Sequence, residues 1–284
     1  MTGPSRPLLR WHGGKWRLAP WIVAHLPRHR VYVEPFGGAA SVLLRKPRSY
    51  AEIYNDLDGD VVNLFQVLRS GRAGELVRAL ELTPFARAEF EGAYERSDDP
   101  VEEARSLIVR SFMGFGSDGF NRAVRTGFRS TSNRSGTTPA HDWANYPTAL
   151  RAIIKRLNGV VIERRPALQV MLQHNDVDAL HYLDPPYMPE TRSEKSRKTG
   201  ERYHAYAHEM TPADHAALLA SLPNIRGAVV ISGYATRLYD EALVGWRRLT
   251  IAALADGAAK RTEVLWLNPR AADQIAGELE FGSP

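Results

Sequence analysis

Val31-Tyr32-Val33-Glu34-Pro35-Phe36-Gly37-Gly38-Ala39-Ala40 is the stretch on which the fold turns. Its β-branched and aromatic opening stops at a proline, as a strand does. Two glycines then let the backbone turn sharply and approach a ligand closely, and Ser41-Val42-Leu43-Leu44-Arg45 follows with helical character. The segment therefore reads strand, glycine turn, helix. It is not the dinucleotide fingerprint, because the third glycine is missing, nor a P-loop, because no Gly-Lys-Ser/Thr follows. Taken alone, a plain structural turn explains it equally well.

Outward from there the same alternation recurs. Ala51 to Asn55 reads as a second strand ending at Asp56, and Val61, Leu64, Phe65 and Leu68 recur at helical spacing. Val160–Ile162 and His181–Leu183 are strand candidates, Pro212–Leu222 reads as a helix, and Glu263–Leu267 as a late strand. The apolar run Ala228–Ile231 has the pattern of a buried parallel strand. Alternating strands and helices predict an α/β sheet covered on both faces.

Between Gly71 and Asn158 the pattern changes. Thr83-Pro84 reads as a helix start with an N-cap, Pro100 opens another helical run and Pro147 a third, whereas Gly114 to His141 is rich in Gly, Ser, Thr, Asn and Arg. The expected organisation is a sheet domain from residues 1–70 and 159–284, with 71–158 an inserted, mainly helical module. Eleven basic residues face three acids between Arg105 and Arg165, within a chain of net charge +5. Such a cluster suits a polyanion, although a solvated basic surface is an equal reading.

Composition removes several classes of chemistry. The 284 residues include no cysteine, which excludes disulfides, Cys-ligated zinc, iron–sulfur clusters and a Cys nucleophile. No metal is expected. No stretch approaches the roughly 20 apolar residues needed to span a bilayer, and no signal peptide is visible. The chain reads as soluble and cytoplasmic.

Ligands of open α/β sheets bind beyond the carboxyl ends of the strands. Asp184-Pro185-Pro186-Tyr187 falls at such an end. Consecutive prolines fix the backbone and remove two N–H donors. A carboxylate and carbonyl acceptors thus stand beside an aromatic ring, an arrangement suited to a planar amine. As a bare tetrapeptide it also suits a strand-terminating turn.

Asp184-Pro185-Pro186-Tyr187 resembles the signature of amino-methyltransferases acting on DNA bases, and Pro35-Phe36-Gly37-Gly38 resembles their cofactor loop. Arg10-Trp11-His12-Gly13-Gly14-Lys15 looks like the Trp-x-Gly-Gly-Lys element of the DNA adenine methylase family. Ser232-Gly233-Tyr234 and Thr262–Asn268 resemble its later elements. These elements stand in the family's order, from about Leu8 to Pro269. The resemblance implies a Rossmann-like methyltransferase sheet, S-adenosylmethionine as methyl donor, and transfer to N6 of a flipped-out adenine in duplex DNA. It implies catalytic roles for Asp184, Pro185, Pro186 and Tyr187, with Tyr187 stacking on the base. Cofactor contacts fall to Trp11, Lys15, Glu34, Phe36, Gly38, Asp56 and Asp184. The competing readings are core packing for Trp11 and a helix N-cap for Asp56.

The insert would then be the target-recognition domain, with Phe120, Asn121, Arg122, Arg125, Arg129 and Arg134 as DNA contacts and Arg10 another. A solvated basic loop stays open for each. The polar stretch from Met188 to Met210 carries Lys195, Arg197, Lys198 and Arg202, and is expected to order on DNA. The expected state is a monomer or weak dimer of bacterial or phage origin. A cognate restriction endonuclease is the partner that restriction-modification members imply. N4-cytosine methylation and a catalytically silent DNA-binding protein stand as alternatives. Asp at the start of the tetrapeptide and the Trp-x-Gly-Gly-Lys element favour adenine.

Overall fold

The computed structural model describes residues 3–116, 119–130, 137–191, 207–254 and 260–281. Arg134 and residues 192–206 of the polar loop, with its four cations, lie outside them. Seven strands form one sheet in the order β3-β2-β1-β4-β5-β7-β6. They are β1 (Val31–Glu34), β2 (Ala51–Asn55), β3 (Val160–Glu163), β4 (Ala179–Leu183), β5 (Ala228–Gly233), β6 (Arg247–Leu254) and β7 (Lys260–Leu267). The first five run parallel, and β7 pairs antiparallel with both β5 and β6. The sheet is the mostly parallel α/β sheet that the alternation predicts.

Side chains alternate across this sheet with the period of two that a strand imposes. Tyr32, Tyr54, Leu180, Tyr182, Val230, Leu265 and Leu267 join the larger apolar core. Their strand neighbours Val33 and Ile53, and Leu183, Val229, Ile231 and Trp266, fall into two smaller clusters on the other face. The larger core includes Leu43 and Leu44 of α2 (Ser41–Arg45) and Val61, Leu64 and Phe65 of α3 (Gly59–Arg69). It continues without a break into α4 (Ala73–Leu82), α5 (Arg87–Gly92), α6 (Pro100–Met113), α7 (Pro139–Ala144) and α8 (Tyr146–Arg156). The short α1 (Ala19–Val23) packs on α2. On the opposite face lie Val170 of α9 (Ala167–Gln173), Leu218 and Leu219 of α10 (Pro212–Ser221), and Tyr239 of α11 (Arg237–Ala242). The last helix, α12 (Pro269–Phe281), follows β7 and packs on β5.

Two expectations need correcting. Thr83-Pro84 does not start a helix: Thr83 ends α4, its hydroxyl donating back to the Ala79 carbonyl at 2.8 Å, and α5 begins at Arg87. The Thr hydroxyl served the turn behind it rather than the one ahead. The expected loop also stops earlier, because Thr138 caps α7 through the His141 N–H.

Strand order places the site. The chain leaves β1 toward β2 on one side of the sheet and leaves β4 toward β5 on the other. The carboxyl ends of β1 and β4 therefore flank the topological switch point, where the connections diverge and open a crevice. Pro35–Gly38 follows β1, whose last residue is Glu34, and Asp184–Tyr187 follows β4, so both turns meet there.

Candidate active site

The crevice is a cavity of about 460 Å³ lined by the glycine turn, the tetrapeptide and the Trp11–Lys15 segment. Each wall has a local cause. Gly37 closes under the Tyr54 ring, where a Cβ would come within 2.1 Å of a ring carbon. The Tyr54 hydroxyl donates to the Gly38 carbonyl at 2.7 Å, and its ring stacks on Phe65 at 4.0 Å. Gly38 itself adopts φ +47°, and a Cβ there would lie 2.7 Å from the Trp11 indole nitrogen. The turn thus requires glycine twice, for close approach and for left-handed backbone.

Asp56, just past β2, ties this turn down. Its Oδ2 accepts from the Gly38 N–H at 2.7 Å and its Oδ1 from the Asp58 N–H at 2.8 Å. Burial pushes its carboxyl up to about 6, against the pull of those two N–H groups. The N-cap of α3 is Asp58, which accepts from the Asp60 N–H. Asp56 is therefore not the helix cap, and it lines the cavity. Glu34 lies deeper. Its Oε2 accepts from the Tyr32 hydroxyl at 2.7 Å and the Leu43 N–H at 3.0 Å, and burial pushes its carboxyl up to about 8.

The opposite end holds an ion cluster. Lys15 Nζ is 2.7 Å from Asp184 Oδ1, donates to the Tyr187 hydroxyl at 2.7 Å and to the Gly13 carbonyl at 3.2 Å, and lies 3.3 Å from Glu263. Burial alone would lower the Lys15 pKa, but Asp184, Glu263 and Tyr187 outweigh it and hold the ammonium well above its usual value. Ser232 Oγ donates to the same Asp184 Oδ1 at 2.9 Å and lies 2.7 Å from the Tyr182 hydroxyl. Two partners thus orient one oxygen of a carboxylate whose side chain keeps 21% of its surface exposed. Pro185 is buried and Pro186 half-buried behind it. The Tyr187 ring stacks on Tyr234 at 4.5 Å and 20°.

Trp11 stacks on Phe120 at 3.8 Å, and both rings line the cavity with Phe36. Phe120, grouped with the DNA candidates on sequence, therefore belongs to this wall. Of the other DNA candidates, Arg122 is held internally. Its guanidinium reaches Glu103 at 2.6 Å, the Tyr94 carbonyl at 3.1 Å and the Glu95 carbonyl. Asn121 is buried and accepts from the Ala123 N–H. Arg125 is exposed beside the Tyr94 ring. Arg129 is partly buried, 3.8 Å from Asp142. The Arg10 backbone is fastened to α6 by Ser111, whose Oγ accepts from its N–H and donates to its carbonyl.

The profile of the D12 class N6 adenine-specific DNA methyltransferase family matches residues 11–256. The chain belongs to that family. This chain is 27% identical over 243 residues to the DNA adenine methylase of Salmonella typhi, a match that covers 84% of each chain. It is 30% identical over 118 residues to that of Escherichia coli K12, a match spanning 39% of this chain and 42% of that one. The Haemophilus influenzae methylase is 27% identical over 193 residues, 65% of this chain and 64% of its own.

Sequence reading gave no site role to three residues around the Lys15–Asp184 pair, Ser232, Tyr182 and Glu263, although Ser232 and Glu263 stand in the family-like elements Ser232–Tyr234 and Thr262–Asn268. A signal existed for Glu263. Glu263 shares a strand face with Leu265 and Leu267, where alternation calls for an apolar residue, and it is 1% exposed. Among the described residues no helix is long and apolar enough to cross a membrane.

Proposed function

We propose that this chain transfers a methyl group from S-adenosylmethionine to N6 of an adenine flipped out of duplex DNA. The observation that carries the reading is Asp184, oriented by Lys15 and Ser232 at the carboxyl end of β4, in the same cavity as the β1 glycine turn. The lining fits the donor: Trp11 and Phe120 offer aromatic surface, and Asp56 offers a fixed carboxylate for ribose hydroxyls. When bound, S-adenosylmethionine supplies a methyl group already activated on a sulfonium. Adenine N6 is a poor nucleophile because its lone pair is delocalised into the ring. Asp184 and the Pro185 carbonyl accept hydrogen bonds from its two N–H groups and offset the positive charge that develops as the new C–N bond forms and the C–S bond breaks, and one N6 proton is then released to water. The Tyr187–Tyr234 pair beside Asp184 gives the base a stacking surface.

Residues 71–158 are the module we assign to DNA reading, with residues 1–70 and 159–284 as the catalytic domain. Exposed Arg125 is the best-placed contact, whereas Arg122 acts through the shape of the loop. Labelled methyl transfer to unmethylated duplex DNA, with product nucleosides separated by mass, tests the reading. N6-methyladenine is expected. Methyl on cytosine N4, or none, would sink it.

A further inference from the structure

We propose that Glu263 is a positioning residue for the transfer step: it holds the Lys15 ammonium and the Tyr187 hydroxyl so that Asp184 keeps negative charge for the amine. This rests on the methyl-transfer reading above.

The geometry poses a problem that Glu263 solves. Lys15 Nζ, itself almost shut off from water, is 2.7 Å from Asp184, whose side chain is 21% exposed. An ammonium that close orients the carboxylate but also neutralises it. The amine gains positive charge during transfer, so a bare Lys15–Asp184 pair would present it with no net negative charge. In a low-dielectric cavity that difference is large. Glu263 supplies the missing charge from the far side of the same ammonium, 3.3 Å from Nζ, while the Tyr187 hydroxyl donates to it at 3.4 Å. Both ligands of Glu263 also touch the catalytic tetrapeptide: Lys15 bonds Asp184, and Tyr187 belongs to the run. No substrate contact is required, since β7 sits beyond β5, on the side of the ion cluster away from β1.

The site makes this charge titratable. Burial pushes the Glu263 carboxyl upward even with Lys15 beside it. Asp184, Lys15, Tyr187 and Tyr234 are the titratable groups around it, with Tyr182 beside Lys15 and Arg261 beside the Tyr234 ring. Protonating Glu263 leaves the Lys15–Asp184 pair uncompensated.

The test compares wild type, Glu263→Gln and Glu263→Asp in single-turnover methyl transfer across pH 5–9, with separate titrations of DNA and S-adenosylmethionine affinity. Glu263→Gln should lower the transfer rate about 10-fold or more, leave both affinities within about 3-fold, and flatten the acid limb of the rate profile. Glu263→Asp keeps the charge and should recover part of the rate and the acid limb. If Glu263→Gln does not fold, Glu263→Asp decides alone: a flat profile overturns the proposal and a retained acid limb supports it. Wild-type rate with weakened thermal stability would make Glu263 merely structural and overturn the proposal. An inactive wild type would instead overturn the methyl-transfer reading and this inference with it.

Discussion

Lys15→Met removes the ammonium at the centre of the ion cluster while keeping most of the side-chain volume. Lys15 is 2% exposed, with carboxylates 2.7 and 3.3 Å away. Its loss leaves Asp184 and Glu263 facing each other across a buried space. Removing one partner of a buried pair costs about 3–5 kcal/mol because the remaining charge is uncompensated. For a chain of this size that is a fall in Tm of roughly 6–20 °C. The pH dependence has a definite sign. The wild-type Lys15 pKa is raised, so its stabilisation is fully present below the ordinary lysine pKa and is lost only as pH rises through the folded value. In the variant, Glu263 loses the neighbour that held it down, and its already raised pKa rises further. A carboxyl raised in the folded state favours folding as pH falls toward its unfolded value. The gap between wild type and variant should therefore be widest near pH 8 and narrow toward pH 5. Urea unfolding of both proteins at pH 8 and pH 5 measures it. A gap under about 1 kcal/mol, or one that widens in acid, would refute the account of this cluster.

Three further outcomes are expected. Gly38→Ala combines a left-handed φ, costing an L-residue about 1–2 kcal/mol, with a Cβ 2.7 Å from Trp11. Calorimetry should show S-adenosylmethionine binding about 10-fold weaker or worse, and unchanged affinity would count against the turn as a cofactor wall. Donor affinity should also fall by roughly 10-fold from pH 7 to pH 5, because burial pushes the Asp56 carboxyl up to about 6 and the ionised form is the stronger acceptor for ribose hydroxyls; a flat profile would remove Asp56 from that role. Arg122→Ala should lower stability by about 2 kcal/mol through its lost charged bonds, whereas exposed Arg125→Ala should leave stability alone and reduce the salt slope of DNA binding by about 1. The reverse pattern would exchange their roles.

What was legible in the chain was what local chemistry encodes. Val31–Glu34 and Ala228–Ile231 announce themselves as strands because branched apolar runs end at turn-forming residues. β6 does not, since Arg247-Arg248-Leu249-Thr250 owes its extended form to pairing with β7. Thr83 was ambiguous because its hydroxyl can serve the helix behind it as readily as one ahead. At the site, Asp184 and Lys15 were visible as motif residues, but 169 positions separate them and only the sheet order makes them a pair. Phe120 looked like part of a basic loop. Its packing on Trp11 depends on how α6 returns that loop to the sheet. Glu263 stood in the family-like run Thr262–Asn268, but only its burial beside Lys15 gives it a role at the site.

In the proposed reaction Asp184, oriented by Lys15 and Ser232, makes adenine N6 the methyl acceptor. Genome-wide mapping of modified bases after expression in a methylation-free host tests it most directly, with Asp184→Ala alongside. N6-methyladenine within one recurring sequence is expected for wild type and none for the folded variant. N6-methyladenine from Asp184→Ala, or cytosine modification from wild type, would contradict it.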